Sequence, residues 1–248
     1  MTDAGLAADI AAEAGDLLRA LQRTGSGRTL GAAGDAQANA LILARLRAAR
    51  PDDAILSEEM ADDLARCARR RVWIVDPLDG TREYSEGRDD YAVHIGLAID
   101  GVPAIGAVGL PGQNLIFASD PAPPLVPANH PPRMVVSRTR PAAECSAVAE
   151  ALGAELVPMG SAGAKAMAVV RGLADIYLHS GGQHQWDNCA PVAVARATGL
   201  HASRLDGSPL VYNCEATWIP DLLICRAELA ERVLALAAEC ATGDSWTG

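Results

Sequence analysis

The feature that most constrains this chain is a short apolar run that ends in two aspartates. Residues 72–75 are apolar, and Asp76-Pro77-Leu78-Asp79-Gly80-Thr81 follows directly. An apolar run that stops at Asp-Pro predicts a buried strand that delivers a turn to the surface. Proline fixes one backbone dihedral and glycine permits close approach, so the turn would bring both carboxylates and the Leu78 carbonyl to one point.

Two carboxylates and a carbonyl form an all-oxygen site, which favours Mg2+ over zinc or copper. The backbone amides of Gly80 and Thr81 would face the same point and hold a phosphate oxygen. The segment therefore indicates a metal-assisted phosphatase. The alternative is a solvated loop, because Asp-Pro and Asp-Gly are ordinary turn dipeptides. A haloacid-dehalogenase-type site is excluded, because its two aspartates lie two residues apart and Asp76 and Asp79 lie three apart.

Composition narrows the classes of partner. The chain has 31 acidic and 21 basic residues, a net charge of −10, which disfavours nucleic-acid polymers and anionic membranes as partners. Its six cysteines form no Cys-x-x-Cys pair, which argues against zinc and against a disulfide framework. No basic segment followed by an apolar run opens the chain, and no apolar stretch is long enough to span a bilayer. We expect a soluble, cytoplasmic protein.

The order of patterns predicts two halves. Residues 120–132 contain six prolines and form the predicted linker, so the halves are 1–128, with α+β character, and 129–248, with α/β character. In the first half, helices are predicted at 3–22 and 35–49, with a glycine-bearing loop at 24–34 between them. Short strands are predicted at 54–56, 72–75, 91–99, 104–109 and 114–118. In the second half, strands are predicted at 133–136, 155–157, 174–178 and 222–225. They alternate with helices predicted at 142–152, 161–170, 187–197 and from 227.

Two further carboxylates could complete the metal site. Glu58 comes directly after the predicted strand 54–56, and Asp187 follows Trp186 at the start of a predicted helix. Each has a simpler interpretation, since Glu58-Glu59 would suit a solvated surface and aspartate is a favoured helix N-cap.

In that order, Ser57-Glu58-Glu59, the segment 76–81 and Trp186-Asp187 resemble the inositol monophosphatase superfamily of Mg2+-dependent, lithium-sensitive phosphatases. The resemblance runs from Asp35 to the strand near Leu222. It implies a layered αβαβα sandwich of the inositol monophosphatase/fructose-1,6-bisphosphatase type, of α+β or α/β class. It also implies two or three Mg2+ ions, bound by Glu58, Asp76, the Leu78 carbonyl, Asp79 and Asp187.

Finer motifs resemble the 3'(2'),5'-bisphosphate nucleotidases within that superfamily, namely residues 82–87, 160–165 and 186–191. The implied reaction converts 3'-phosphoadenosine 5'-phosphate to AMP and phosphate, or its 5'-phosphosulfate to adenylyl sulfate, in sulfate assimilation. Inositol 1-phosphate and fructose 1,6-bisphosphate remain alternative substrates, and a homodimer remains open. A non-catalytic phosphate-binding regulator is disfavoured, because all five implied metal ligands are present.

The resemblance also implies roles around the metals. Asp35 and Thr81 would position the attacking water and take its proton. The implied substrate contacts are Gly80, Thr81, Ser137, Ser161, Lys165 and Asp187. Many members have a Thr-x-x-Asp segment where this chain has Gly31-Ala32-Ala33-Gly34-Asp35, so the alignment of the predicted loop 24–34 is open.

Two reactive residue types are given no catalytic role. A metal-water mechanism needs no thiol nucleophile, so Cys189 is interpreted as a buried small apolar residue. The five histidines lack ligand spacing, and only His184, three residues before Asp187, is expected near the substrate.

Overall fold

Two five-stranded sheets alternate with three helix layers in the structure, a computed structural model that describes residues 1–242. The first sheet has the strand order β1-β2-β3-β4-β5. Its strands are β1 (Ala54–Ser57), β2 (Arg71–Asp79), β3 (Ala92–Ile99), β4 (Val102–Leu110) and β5 (Leu115–Ala118). β1 is parallel to β2, and the other neighbours are antiparallel.

The second sheet has the order β7-β6-β8-β10-β9. Its strands are β6 (Arg133–Ser137), β7 (Glu155–Met159), β8 (Ile176–His184), β9 (His201–Ser203) and β10 (Trp218–Cys225). β6 is parallel to β7 and β8, whereas β10 is antiparallel to β8 and β9. The proline-bearing segment between β5 and β6 contains no helix or strand.

In the part of the chain that the structure describes, three pairs of helices cover the two sheets, and one short helix directly follows β2. The helices are α1 (Asp3–Gln22), α2 (Gly27–Ala49), the short α3 (Thr81–Ser85), α4 (Ala143–Leu152), α5 (Ala162–Val170), α6 (Gln185–Ala197) and α7 (Ala230–Thr242). α1 and α2 pack on the outer face of the first sheet, α5 and α6 lie between the sheets, and α4 and α7 cover the second sheet. This arrangement confirms the predicted αβαβα sandwich.

Among the described residues, the core forms three mainly aliphatic clusters. One lies between α1, α2 and the first sheet, one surrounds α5 and α6 between the two sheets, and one lies between the second sheet and α4 and α7. The central cluster takes Ile74 from β2, Ala190 from α6 and Ile224 from β10. Side chains from both predicted halves therefore share one interior, and the division near residue 128 stays a prediction. Within residues 1–242, no helix combines the length and apolar character needed to cross a bilayer.

The predicted loop at 24–34 is wrong, because α2 already begins at Gly27. Leu30, Gly31, Gly34 and Asp35 continue one buried helix face. A Cβ atom at Gly31 would lie 2.5 Å from the Ser85 hydroxyl oxygen of α3. The glycines that suggested a loop instead let α3 approach the α2 backbone closely.

Several strands are longer than their apolar runs. β2 continues through Asp79, with an irregularity in its pairing to β3 between Asp76 and Asp79. The predicted turn is therefore an irregular continuation of the strand. β8 ends at His184 rather than at 178, and the short strand β9 was not predicted.

Candidate metal centre and active site

Three carboxylates converge where β2 ends and α6 begins. Each of Asp76, Asp79 and Asp187 offers a carboxylate oxygen, and these oxygens lie within 4.8 Å of one another. Asp76 is buried, and its Oδ1 accepts a hydrogen bond of 3.0 Å from the Leu78 amide. Asp187 lies in the first turn of α6, where its Oδ2 accepts from the His184 amide at 2.5 Å. The backbone of each segment thus fixes its own carboxylate.

Asp79 is held from a second element. Its two carboxylate oxygens accept hydrogen bonds from the amides of Ala162 (3.1 Å) and Gly163 (2.6 Å) in the first turn of α5. His94 Nε2 lies 3.3 Å from Asp79 Oδ2. Burial alone would raise the pKa of Asp79, but His94, the Gly163 amide and the Lys165 charge hold it below its usual value. These surroundings favour the ionised form of Asp79.

Glu58 stands at the rim of the cluster. Its amide donates to the Val75 carbonyl at 3.2 Å, because β1 runs parallel to β2, and this places Glu58 beside Asp76. The residue is exposed overall and lies outside the group of three. Partial burial of its carboxyl group and the charge of Asp187 nevertheless raise the pKa of Glu58 to about 7. The carboxyl group of Glu58 therefore interacts electrostatically with the carboxylates of the cluster.

The donor set fits a hard divalent cation. Burial and Asp79 raise the pKa of Asp76 well above its usual value, and burial and Asp79 raise that of Asp187 to about 6. These carboxylates repel one another, and a bound cation would neutralise them. Oxygen donors at this spacing suit Mg2+. The Leu78 carbonyl accepts the Thr81 hydroxyl at 3.1 Å and keeps a second lone pair, so its role as a ligand stays a prediction.

Mg2+ is expected to stabilise the protein more at pH 8 than at pH 5.5. The pKa values of Asp187 in the cluster, about 6, and of Glu58 at its rim, about 7, exceed their unfolded values, so folding binds protons and metal-free stability falls as pH rises through this window. At about 100 times its Kd, a ligand adds about 2.7 kcal/mol. That corresponds to roughly 5–11 °C in Tm for a chain of this size. Thermal unfolding with MgCl2, against NaCl of equal ionic strength, measures the effect. Equal shifts at both pH values would contradict it.

Asp35 and Thr81 form a pair beside the cluster. Thr81 Oγ1 lies 3.5 Å from Asp35 Oδ2, at the outer limit of a hydrogen bond. Asp35 is 8% exposed, and its Oδ1 has no hydrogen-bond partner among the described residues. Burial, reinforced by the charge of Glu59, raises the pKa of Asp35 to about 7. A carboxylate with this pKa can accept a proton near neutral pH.

A cavity of about 450 Å³ opens beside Asp79 and contains four of the six predicted substrate contacts. These are Gly80, Ser137, Ser161 and Lys165. Gly80 has φ +87°, and a Cβ atom there would lie 2.9 Å from the Ser161 Cβ, so this wall requires glycine. The other two predicted contacts, Thr81 and Asp187, lie with the carboxylate cluster.

Lys165 is the only lysine of the chain and is 6% exposed. Its ammonium donates to the Gly160 carbonyl at 2.5 Å and the Ser161 carbonyl at 2.6 Å. Nζ also lies 5.4 Å from the centroid of the Tyr177 ring. Burial lowers the pKa of Lys165. The side chain thus supports the segment that leads into α5, and its contact with a phosphate stays a prediction.

Lys165→Met is expected to lower the free energy of unfolding by about 1–3 kcal/mol, because two carbonyls would lose a buried charged donor. Urea unfolding measures the change. Arg140→Met is the matched control, since Arg140 lines the same cavity but is exposed, and its substitution should stay within about 0.5 kcal/mol. Equal effects of the two substitutions would show that Lys165 does not support the segment that leads into α5.

The expectation that His184 is the only histidine near the substrate needs correction. His184 does approach the site, through its amide, and its ring stacks on Trp186 with centroids 4.6 Å apart. His94, which the sequence argument set aside, lies closer to the carboxylates and is fully buried against Asp79. The sequence signal that could have indicated His94 is that it is the one ionisable residue of the otherwise apolar strand β3. Cys189 is fully buried and burial raises its pKa, so its thiol stays protonated and packs in the core.

Comparison with known proteins places this geometry in a family. The sequence profile of the inositol monophosphatase family matches residues 4–122 and 127–242. The chain is 53% identical over 223 residues to the 3'-phosphoadenosine 5'-phosphate phosphatase of Mycobacterium bovis, covering 85% of this chain and 83% of that protein. It is 48% identical to the protein of the same name from Mycobacterium leprae, covering 96% and 94%.

A solved structure of the family is similar to this one. CysQ from Bacteroides thetaiotaomicron, described as a bacterial member of the inositol monophosphatase family, superposes with a TM-score of 0.81 at 26% identity. The superposition covers 90% of this chain and 97% of that one. The family profile spans nearly all of the described residues, including every member of the carboxylate cluster. The chain belongs to the inositol monophosphatase family.

Proposed function

We propose that this protein is a Mg2+-dependent phosphomonoesterase that hydrolyses 3'-phosphoadenosine 5'-phosphate to AMP and phosphate. The observation that carries the proposal is the 53% identity to the M. bovis 3'-phosphoadenosine 5'-phosphate phosphatase over 85% of this chain. The three converging carboxylates and the adjoining cavity support it, because they join a cation site to a space for a small phosphorylated molecule. The proposal extends to the 5'-phosphosulfate as a substrate.

Two or three Mg2+ ions, held by Asp76, Asp79 and Asp187 with Glu58 and the Leu78 carbonyl, would polarise the phosphoryl oxygens and make a water more acidic. Thr81 Oγ1 orients the attacking water, and Asp35 accepts its proton. The amides of Gly80 and Thr81 hold the phosphoryl group. The water oxygen bonds to phosphorus as the bond to the ribose 3' oxygen breaks, and the released 3' oxygen takes a proton from bulk water.

The rest of the nucleotide would lie in the 450 Å³ cavity, a size suited to a small-molecule ligand. The residues that line it include Arg82, Arg138 and Arg140, whose positive charge suits an anion. Arg138 is already paired with Glu83 at 2.8 Å and Glu86 at 2.6 Å, so it also orders the wall. Ser137, Ser161 and Lys165 are the proposed polar contacts from the second half of the chain.

The test is phosphate release from 3'-phosphoadenosine 5'-phosphate, inositol 1-phosphate and fructose 1,6-bisphosphate in Mg2+, with LiCl against NaCl as the control salt. We expect the nucleotide to be preferred, with lithium inhibiting turnover. A preference for inositol 1-phosphate or fructose 1,6-bisphosphate would keep the phosphatase and overturn the nucleotide assignment. Binding of the nucleotide with no phosphate released from any of the three would point to a non-catalytic regulator.

A further inference from the structure

His94 is a fully buried side chain that connects two segments of the metal centre. Its Nδ1 lies 3.0 Å from the Trp186 carbonyl oxygen, and its Nε2 lies 3.3 Å from Asp79 Oδ2. A carbonyl only accepts hydrogen bonds, so Nδ1 carries a proton and donates. Nε2 has no hydrogen bond of good geometry among the described residues, although it is buried and faces the carboxylate.

The two contacts lie on different elements. Asp79 ends β2, whereas Trp186 precedes Asp187 in the first turn of α6. Asp187 is otherwise fixed by the amide of His184, two residues before Trp186 and at the start of the same helix. The imidazole therefore spans from one carboxylate-bearing segment to the other, and both carboxylates belong to the group within 4.8 Å.

The His94 ring is closely packed on the side of α5. A Cβ atom at Gly163 would lie 2.1 Å from His94 Nε2 and 2.8 Å from the Ala92 Cβ. Only a glycine at 163 admits the ring, and the Gly163 amide donates to the same Asp79 oxygen at 2.6 Å. The ring is thus enclosed by β3 and α5 while it contacts β2 and α6. A side chain so enclosed can transmit the position of one segment to the other.

We infer that His94 is a positioning residue that sets the separation of Asp79 and Asp187, and thereby the affinity of the cluster for its metal. The inference rests on the metal centre of the proposed function. His94 is not assigned as a ligand, because one ring nitrogen donates to a carbonyl and the other faces Asp79. Partners that orient metal ligands in this way typically contribute about 10–100-fold to metal affinity.

Three substitutions separate the two contacts. In His94→Asn the side-chain amide can occupy the place of Nδ1 and keep the Trp186 contact, but it is too short to reach Asp79. In His94→Gln the amide can reach the place of Nε2 and keep the Asp79 contact. His94→Ala loses both. His201→Ala is the matched control, because His201 lies in β9 and contacts Ser203 at 2.8 Å.

The measurement is the Mg2+ dissociation constant by titration calorimetry without substrate, alongside the Tm of each metal-free variant. We expect His94→Ala to weaken Mg2+ binding about 10–100-fold. We expect smaller losses for the Asn and Gln variants and no change for His201→Ala. Mg2+ dissociation constants within about twofold of wild type for the folded His94 variants, with only Tm lowered, would overturn the inference, because that is the signature of a purely structural residue. Absence of Mg2+ binding by the wild type would overturn it as well.

The proposed activity can fail separately. A wild type that binds Mg2+ but releases no phosphate from 3'-phosphoadenosine 5'-phosphate would overturn the substrate assignment, while weakened Mg2+ binding by the His94 variants would still support the positioning role. If His94→Ala does not fold, the Asn and Gln variants carry the test, since each keeps one contact of the ring.

Discussion

Asp76→Asn is expected to reduce the rate of phosphate release by about a hundredfold to a thousandfold, the cost of removing one preorganised electrostatic group from a catalytic site. Asp76 is 1% exposed and shares the oxygen cluster with Asp79 and Asp187. Asparagine keeps the acceptor for the Leu78 amide but loses the negative charge that a cation requires. The loss should appear in kcat and in Mg2+ affinity together.

The same substitution should raise the Tm of the metal-free protein at pH 8. Burial and Asp79 raise the pKa of Asp76 well above its unfolded value, so its ionised form opposes folding increasingly as pH rises. A neutral asparagine removes that repulsion. Lost activity in a more stable protein cannot be ascribed to misfolding.

Asp9→Asn is the control for this prediction, because Asp9 is an exposed carboxylate on α1. It should change neither phosphate release nor Tm appreciably. The assignment of Asp76 as a ligand would fail if Asp76→Asn kept near-normal turnover at saturating Mg2+. A lowered metal-free Tm at pH 8 would contradict the electrostatic account of the cluster.

The parts of this structure that the sequence predicted well are those in which neighbouring residues carry the information. The run before Asp76 predicted a strand, because its apolar residues are consecutive and the Asp-Pro pair marks their end. The order of Glu58, Asp76 and Asp187 predicted a metal centre through resemblance to a family; metal binding by these residues stays a prediction, and Glu58 lies outside the group of three carboxylates. The structure brings Asp76 and Asp187 together across elements more than 100 positions apart, which no local pattern could show.

The failures also have physical reasons. Gly31 and Gly34 suggested a loop because glycine lowers helix propensity, but the close approach of α3 favours small residues at these positions of α2. Tertiary packing therefore outweighed local propensity. His94 was overlooked because its partners, Asp79 and the Trp186 carbonyl, come from other elements. The two backbone carbonyls that accept hydrogen bonds from Lys165 were not predicted, and its contact with a phosphate stays a prediction.

Asp35→Asn is expected to lower kcat about 10²–10⁴-fold, the usual contribution of a general base, with Mg2+ affinity nearly unchanged. The physical reason is that Asp35 lies beside the cluster rather than in it, with Thr81 Oγ1 3.5 Å away. A base must be ionised to accept a proton, so wild-type kcat/KM should rise with pH through the pKa of Asp35. The midpoint of this rise should lie at or below about pH 7, because bound cations lower the pKa of Asp35. The rise should disappear in Asp35→Asn.

Thr81 supplies the matched test. Thr81→Val removes the hydroxyl that contacts both Asp35 and the Leu78 carbonyl, whereas Thr81→Ser keeps it. If the two residues act as a unit on one water, Asp35→Asn combined with Thr81→Val should cost little more than the worse single substitution. Independent, additive losses in kcat would instead mean that Asp35 and Thr81 serve separate steps. The Ser variant, with activity near wild type, would show that the hydroxyl rather than the methyl group matters.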